Sequence, residues 1–489
     1  MKSYLPETRI LLGTQMVFNL GFYAVIPFLA GAMGGDYGLD AAAVGLVLGA
    51  RTFSQQGMFL FGGLLADRWG ARRAILTGCL VRIAGYATLA AASDFTLFLL
   101  GAVLTGAGGA LFSPALESQL SHADRAHADR AHADATKGRA AGKGRRSVFV
   151  WLAITGEMGA LAGPLLGAAL LGWGFDAALA AGIAVFVAVT VLLWFRLPAR
   201  SPGKPKTAGA GEPEASPGQS RSALGCLKDR RFVAFCLLAS TNMVAYNQLY
   251  FAFPLELDRR GLDGSWLAML FLLASVLTLL LQLPVAAVGQ WLGAGRAMSA
   301  GFLLVAAALA AAALTSVQAE ADGAVAGDSG VGGAAPTGST QAGAVALMAG
   351  IVGALILGHM LLRPTILSLI PRFIPPEGAA SGRGAYYGLS ATCGGIAVLA
   401  GNALLGWLLD LTDRNHWWPG TPWLPMVGLA VLAALMLPRL LQGIHRGSTL
   451  GTATDAAPIP KGGLHGGGRT VRVVVTSQSS GGACCSRGR

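Results

Sequence analysis

The sequence predicts an all-α integral membrane protein of twelve transmembrane helices in two pseudo-symmetric six-helix halves. Three observations predict it. Of 489 residues, 54% are hydrophobic and only 12% charged, against about 25% charged in soluble domains. Apolar runs of the roughly 20 residues that a helix needs to cross a bilayer recur along the whole chain. Lys and Arg collect in alternate gaps between those runs, the pattern that orients membrane proteins.

The runs are read in order as 10–33, 43–66, 74–92, 95–118, 147–171, 175–196, 232–257, 264–289, 297–318, 342–371, 384–410 and 422–443. The first begins near Ile10 and is span-length, with no small-residue cleavage site after it, so it is expected to stay as a helix. Spans two and three are joined by "ADRWGARR", a tight turn in which Gly70 can take backbone angles closed to other residues. An insertion, 119–146, follows span four. It repeats five residues in "ADRAHADRAHADAT", and the spacing of His122, His127 and His132 does not stack on one helix face, so no metal site is expected. "GRAAGKG" lacks the spacing and final Ser/Thr of a phosphate loop, which argues against nucleotide binding. Residues 198–230 are rich in Pro, Ser, Lys and Gly and read as a linker between a first half, 1–197, and a second, 231–445. The ninth gap, 319–340, and the tail, 446–489, are rich in Gly, Ala and Ser and read as disordered.

The net charge of +12 does not point to nucleic acid, because the bases sit between apolar runs. Lys2 and Arg9 precede span one; Arg68, Arg72 and Arg73 follow span two; seven bases follow span four and seven follow span six. Arg296, Arg372 and Arg383 lie in the gaps after spans eight and ten. The alternate gaps carry acids, with Arg259, Arg260 and Arg414 as exceptions. Both termini are therefore expected in the cytoplasm, with the protein multi-pass in the plasma (inner) membrane. The six Cys show no zinc spacing, and vicinal Cys484 and Cys485 read as free thiols.

The halves are related by repetition. "TQMVFNLGFYAVIP" from Thr14 and "TNMVAYNQLYFAFP" from Thr241 align without a gap. "GGALFSP" from Gly108 echoes "GHMLLRP" from Gly358, and "LGAGR" is a faded copy of the "WGARR" turn. Six spans repeated in the same orientation, with a site between them, describe an alternating-access transporter.

On these residues the chain resembles the major facilitator superfamily. The signature between its spans two and three, G-x-L-x-D-R-x-G-R-K/R, appears as Gly63, Leu65, Asp67, Arg68, Gly70 and Arg72, with Ala71 in place of a base. A span-five pattern typical of exporters, G-x-x-x-G-P-x-x-G, appears as Gly159, Gly163, Pro164 and Gly167. A third pattern fails, since Ala102 stands where span four should carry Arg. "LGARTFSQQGMFLFGG" and "KDRRFV" are similar to twelve-span multidrug-resistance exporters, which are drug:proton antiporters. The resemblance implies the major facilitator fold and a latch. Asp67 would sit against the start of span eleven, around Gly382 to Tyr386, where an acid near a helix N-terminus is favoured. Arg68 or Arg72 would pair with Glu117 at the end of span four.

Ionisable groups at bilayer depth cost at least about 2.5–3.5 kcal/mol and are functional candidates by default. Glu157, about 15 Å into span five, is the one acid read near a midplane. It lies beside the Gly stripe, and is either a proton carrier or a structural partner of Arg51 or Arg82. Arg82 is read at mid-depth in span three, Arg51 nearer the outer side of span two, and Arg363 ahead of Pro364 in span ten, one turn after His359. Three bases against one acid argue against a purely cationic substrate. Gln15, Asn19, Tyr23, Asn242, Tyr246, Asn247 and Tyr250, on spans one and seven, with Arg51, Gln55, Arg82 and Arg363, would line a cavity for a part-aromatic molecule. Ordinary interhelical hydrogen bonding competes for each polar residue.

The sequence thus points to a monomeric, proton-driven exporter of small organic molecules, embedded in lipid, without cofactor or metal and without nucleic-acid partners. An importer of a nutrient or organic acid on the same fold is the alternative. An integral-membrane enzyme is a more distant one, since the loops carry no HExxH, paired-carboxylate or nucleophile motif.

Overall fold

The computed structural model describes residues 6–136, 148–197, 225–262, 264–328, 338–374 and 383–450. Among them there are helices and no strands. Eleven helical segments are long and apolar enough to cross a membrane. They run in the expected order, and one of them, Phe175–Arg196, has the limits read from sequence. The twelfth, expected at 43–66, is met by two helices, because the chain turns at Gly57 and Met58. All of these spans lie in one compact unit, Met1–Gln442.

The first six spans are α1 and α2 (Pro6–Tyr23, Ile26–Gly31), α3 and α4 (Ala41–Gln56, Phe59–Trp69), α5 (Ala71–Ala90), α6 (Phe95–Thr136), α7 (Val148–Leu171) and α8 (Phe175–Arg196). The last six are α9 and α10 (Arg230–Asn247, Ala252–Arg259), α11 (Gly264–Leu292), α12 (Ala294–Asp328), α13 (Gly338–Leu369), α14 (Arg383–Asn415) and α15 (Leu424–Leu450). The interruptions correct the expectation of continuous spans one, two and seven. Spans one and seven break at equivalent points of the repeated motif, just ahead of Pro27 and Pro254. A proline lacks the N–H that a helix interior needs and crowds the carbonyl four residues earlier, so each span restarts with its proline in the first turn. The fourth helix also continues past the expected end at 118, to Thr136. Side chains of 122–136, with the His repeat, lie outside the description, as do 137–147 with "GRAAGKG", linker residues 198–224, and the tail with Cys484 and Cys485. The expected linker ends in a helical turn, Gly225–Lys228.

Alternating chain direction gathers Arg68, Arg72, Arg73, Arg196, Arg230 and Arg231 at one end of the bundle, the basic end. Arg72 Nη2 donates to the Trp194 carbonyl at 2.7 Å, tying the starts and ends of neighbouring spans there. Asp40, Asp94, Asp176, Asp258 and Asp410 gather at the acidic end. The start of α3 is capped twice at that end. Asp40 Oδ1 accepts from Ala43 N at 2.8 Å, and Asp410, from α14 in the second half, accepts from Ala41 N at 2.9 Å and Ala42 N at 2.8 Å. Carboxylates at a helix N-terminus satisfy free N–H groups and oppose the helix dipole.

The halves close on one another along α3 and α14. A Cβ on Gly49 would stand 2.9 Å from Leu399 Cα, and one on Gly45 would collide with the Asn402 carbonyl. A Cβ on Gly31 would approach Asp258 Oδ2 to 3.1 Å, and one on Gly264 would meet Leu171 Cδ1 at 2.7 Å. At Gly45 and Gly49 the neighbour is backbone and cannot rotate away, so the close approach of α3 to α14 requires glycine there.

Candidate functional site

A cavity of about 450 Å³ lies between the two halves, lined from both. It is bounded toward the acidic end by the glycine seam. Toward the basic end it reaches Leu367 and Tyr387, which are 45% and 38% exposed.

The broken spans place its floor. Tyr23 and Tyr250 occupy the same position of the two sequence copies, and their hydroxyls meet at 3.4 Å across the halves. Below this pair a buried polar chain crosses the seam. Asn247 Nδ2 donates to Thr52 Oγ1 at 3.4 Å, Asn402 Nδ2 donates to Asn247 Oδ1 at 3.3 Å, and Gln248 Nε2 donates to Asn402 Oδ1 at 3.0 Å. Hydrogen bonds between buried polar groups favour one arrangement, and here they join the two halves across the closed seam, with Gln248 Oε1 left without a partner.

The cavity brings together the residues expected to line it: Gln15, Asn19, Tyr23, Arg51, Gln55, Arg82, Asn242, Tyr246, Asn247, Tyr250 and Arg363. Several are also hydrogen-bonded. Gln15 Nε2 donates to Asn19 Oδ1 at 3.2 Å within α1, and Asn19 Nδ2 to the Gly156 carbonyl of α7 at 3.0 Å. His359 stacks on Tyr246 with ring centres 4.1 Å apart, and its Nδ1 lies 3.2 Å from Asn242 Oδ1. Thr52 and Tyr387 also line the cavity, and with Gln248 and Asn402 behind it they are residues the sequence reading did not single out. For Asn402 a signal existed, since an Asn inside "VLAGNALLG" is costly in lipid.

Arg51 and Arg82 differ from expectation in their partners. Both guanidinium carbons pack on Phe22, at 4.4 and 5.5 Å from its ring centre. Arg82 does not snorkel. It is 1% exposed, its guanidinium carbon is 4.2 Å from the Phe18 ring centre, and its Nε donates to the Thr105 carbonyl at 3.2 Å.

Glu157 sits on α7, roughly 14 Å along the helix from Val148, half-buried and outside the cavity lining. It forms no ion pair with Arg51 or Arg82, which corrects the structural-partner expectation. The neighbouring Gly159, Gly163 and Gly167 face α1, where added Cβ atoms would collide with the Met16, Leu20 and Ala24 carbonyls. Pro164 is buried between them.

At the basic end the expected pairing of Arg68 or Arg72 with Glu117 is not made. Gly63 is half-buried and Gly70 takes φ of +85°, which makes the α4–α5 turn possible. The Asp67 side chain and the side chains of 381–385 lie outside the description. Arg72 is engaged by Trp194, and Arg68 and Glu117 are exposed without an ion pair between them.

A twelve-span bundle enclosing one cavity between repeated halves is matched by a family. The model of the Major Facilitator Superfamily matches residues 11–387. This chain belongs to the Major Facilitator Superfamily. An uncharacterized MFS-type transporter of Mycobacterium tuberculosis (strain ATCC 25618 / H37Rv) is 30% identical over 94% of this chain and 98% of its own length. The multidrug resistance protein MdtH of Escherichia coli O9:H4 (strain HS) is 28% identical over 87% of this chain and 92% of its own. Among solved structures, the POT family transporter PepTSo superposes with a TM-score of 0.67 at 16% identity, covering 91% of this chain and 99% of that one. The nucleoside transporter NupG gives 0.64 at 14%, covering 89% and 99%. At such identities these two share the fold. The chain is thus a multi-pass membrane transporter of small molecules and not an enzyme.

Proposed function

We propose that this major facilitator protein is a proton-coupled exporter of small organic molecules that works by alternating access. The observation that carries the reading is the cavity itself: it lies between repeated halves, sealed at the acidic end and reaching exposed residues at the basic end. With basic loops in the cytoplasm, this is an inward-open state in the cell membrane with both termini inside. The halves, 1–197 and 231–445, would rock about the linker 198–230 to expose the cavity outside. The Gly-Pro pattern of α7 and the multidrug-resistance relatives favour export over import.

Glu157 is the proposed proton carrier. It stands at mid-depth beside the α1–α7 packing face, free of an ion pair, where its charge state can change within the cycle. The α4–α5 turn with Asp67, Arg68, Arg72 and Glu117 is the proposed latch of the outward-open state. The absence of an ion pair from Arg68 or Arg72 to Glu117 fits a bundle closed at the other end.

Inverted membrane vesicles loaded with a panel of dyes, with and without a pH gradient, test the reading. Gradient-dependent dye accumulation in vesicles carrying the protein, absent from control vesicles, is expected. Movement in the opposite sense, or movement indifferent to the gradient, would overturn export or proton coupling respectively.

A further inference from the structure

The cavity holds two buried cations, Arg51 and Arg82, with no ion-pair partner among the described residues. Arg51 and Arg82 are 8% and 1% exposed and line it together with Arg363. Its lining contains no Asp or Glu among the described residues. The ion pairs of the described residues are Arg259 with Asp413 and Arg260 with Glu256, both outside the cavity. Arg51 Nη2 donates to Gln55 Oε1 and Arg82 Nε to the Thr105 carbonyl, both neutral acceptors. Arg51 Nε and Arg82 Nη1 have no hydrogen-bond partner.

This arrangement leaves the two cations undercompensated. Each guanidinium faces an aromatic ring, Arg51 over Phe22 and Arg82 over Phe18, and such a contact recovers only part of the cost of taking an ion out of water. Two cations sharing one ring also repel. An anion placed against them offsets both penalties, and guanidinium is the group best shaped to hold a carboxylate through paired N–H donors.

The rest of the lining specifies what carries that anion. Phe22 stands by both arginines, and Tyr23, Tyr246, Tyr250 and Tyr387 present further rings. The volume of about 450 Å³ falls within the range of roughly 300–1,000 Å³ typical of small-molecule sites. We infer that the cavity recognises an aromatic carboxylate, its carboxylate held by Arg51 and Arg82 and its ring among Phe22 and the tyrosines. This rests on the transporter reading above and narrows its substrate to an organic anion.

The test is a binding series on the purified full-length protein in lipid nanodiscs, read by calorimetry with naphthoate, naphthamide and naphthylmethylammonium. Naphthoate is expected to bind about tenfold tighter than naphthamide, a difference of about 1.4 kcal/mol, and the ammonium most weakly. Arg51→Gln and Arg82→Lys are expected to lower naphthoate affinity about tenfold while naphthamide stays within about twofold, the second result showing an intact cavity. If one variant fails to fold, the other carries the comparison. Naphthoate that does not bind, that binds no better than the ammonium, or that keeps its affinity in the variants would overturn the inference. Export of a cationic dye without naphthoate binding would sink the anion while leaving the exporter. Naphthoate binding without uphill transport would do the reverse.

Discussion

Gly49→Ala probes the moving seam at one atom. Gly49 lies on α3, and a Cβ there would stand 2.9 Å from Leu399 Cα, 3.2 Å from Leu399 O and 3.3 Å from Leu399 Cδ1 on α14. The first two are backbone, so no side chain can rotate away. Carbon atoms prefer about 3.5–4.0 Å, so the helices must part by roughly half an ångström or more. Overpacking of this kind costs about 1–3 kcal/mol. The helix-propensity gain of Ala over Gly, about 1 kcal/mol, applies with the seam open or closed and cancels. The closed seam should therefore lose about 5- to 140-fold in population relative to the open one. Spin labels at Ser93 and Asn415, exposed at the acidic end in opposite halves, read this directly in a background without native cysteines. Pulsed dipolar spectroscopy should show a longer-distance population grow in Gly49→Ala. It should not grow in Gly428→Ala, where an added methyl meets nothing within 4 Å. An unchanged distribution in Gly49→Ala would show that the α3–α14 contact is not what opens.

Asp410→Asn removes the charge that caps α3 from the other half. A cap is worth about 0.5–2 kcal/mol, so the same labels should shift in the same direction by a smaller amount, and a shift toward shorter distances would refute the cap's role. Asp67→Asn is expected to lower transport while membrane insertion is retained, and wild-type transport rates would remove the latch. Glu157→Gln keeps shape and hydrogen bonding but cannot ionise. It should abolish gradient-driven accumulation and leave downhill exchange, and uphill transport that still follows the pH gradient would place the proton elsewhere.

The span count was legible because hydropathy and length are properties of the chain itself. Lipid demands about 20 apolar residues and satisfied backbone groups wherever a helix crosses. Phe175–Arg196 was readable to the residue for that reason. The breaks in spans one and seven were written in Pro27 and Pro254, yet "YAVIP" and "YFAFP" read equally well as the ends of continuous runs. Proline fixes where a helix must restart but not where the preceding turn gives way, which depends on what packs around it. The break at Gly57 carries still less local signal, since Thr392 Oγ1, from α14, donates to the Gly57 carbonyl at 3.4 Å. That partner is more than three hundred residues away in sequence.

The site was legible one helix at a time and illegible across helices. Polar residues interrupting an apolar run are conspicuous on any single span, so Asn19, Arg51, Arg82, Asn242 and Arg363 stood out. Their partners did not, because partnership is set by how the halves dock. The sequence offered Arg51 and Arg82 for Glu157 as bases within the spans, while the fold turns both onto Phe22. The Tyr23–Tyr250 meeting shows what repetition adds. Two equivalent positions must be related by the axis between the halves, and residues close to that axis must approach their own copies. An exact internal repeat of an aromatic residue thus marks the axis, and with it the floor of the cavity, whereas an unrepeated residue such as Arg82 marks the ways in which the halves have become different.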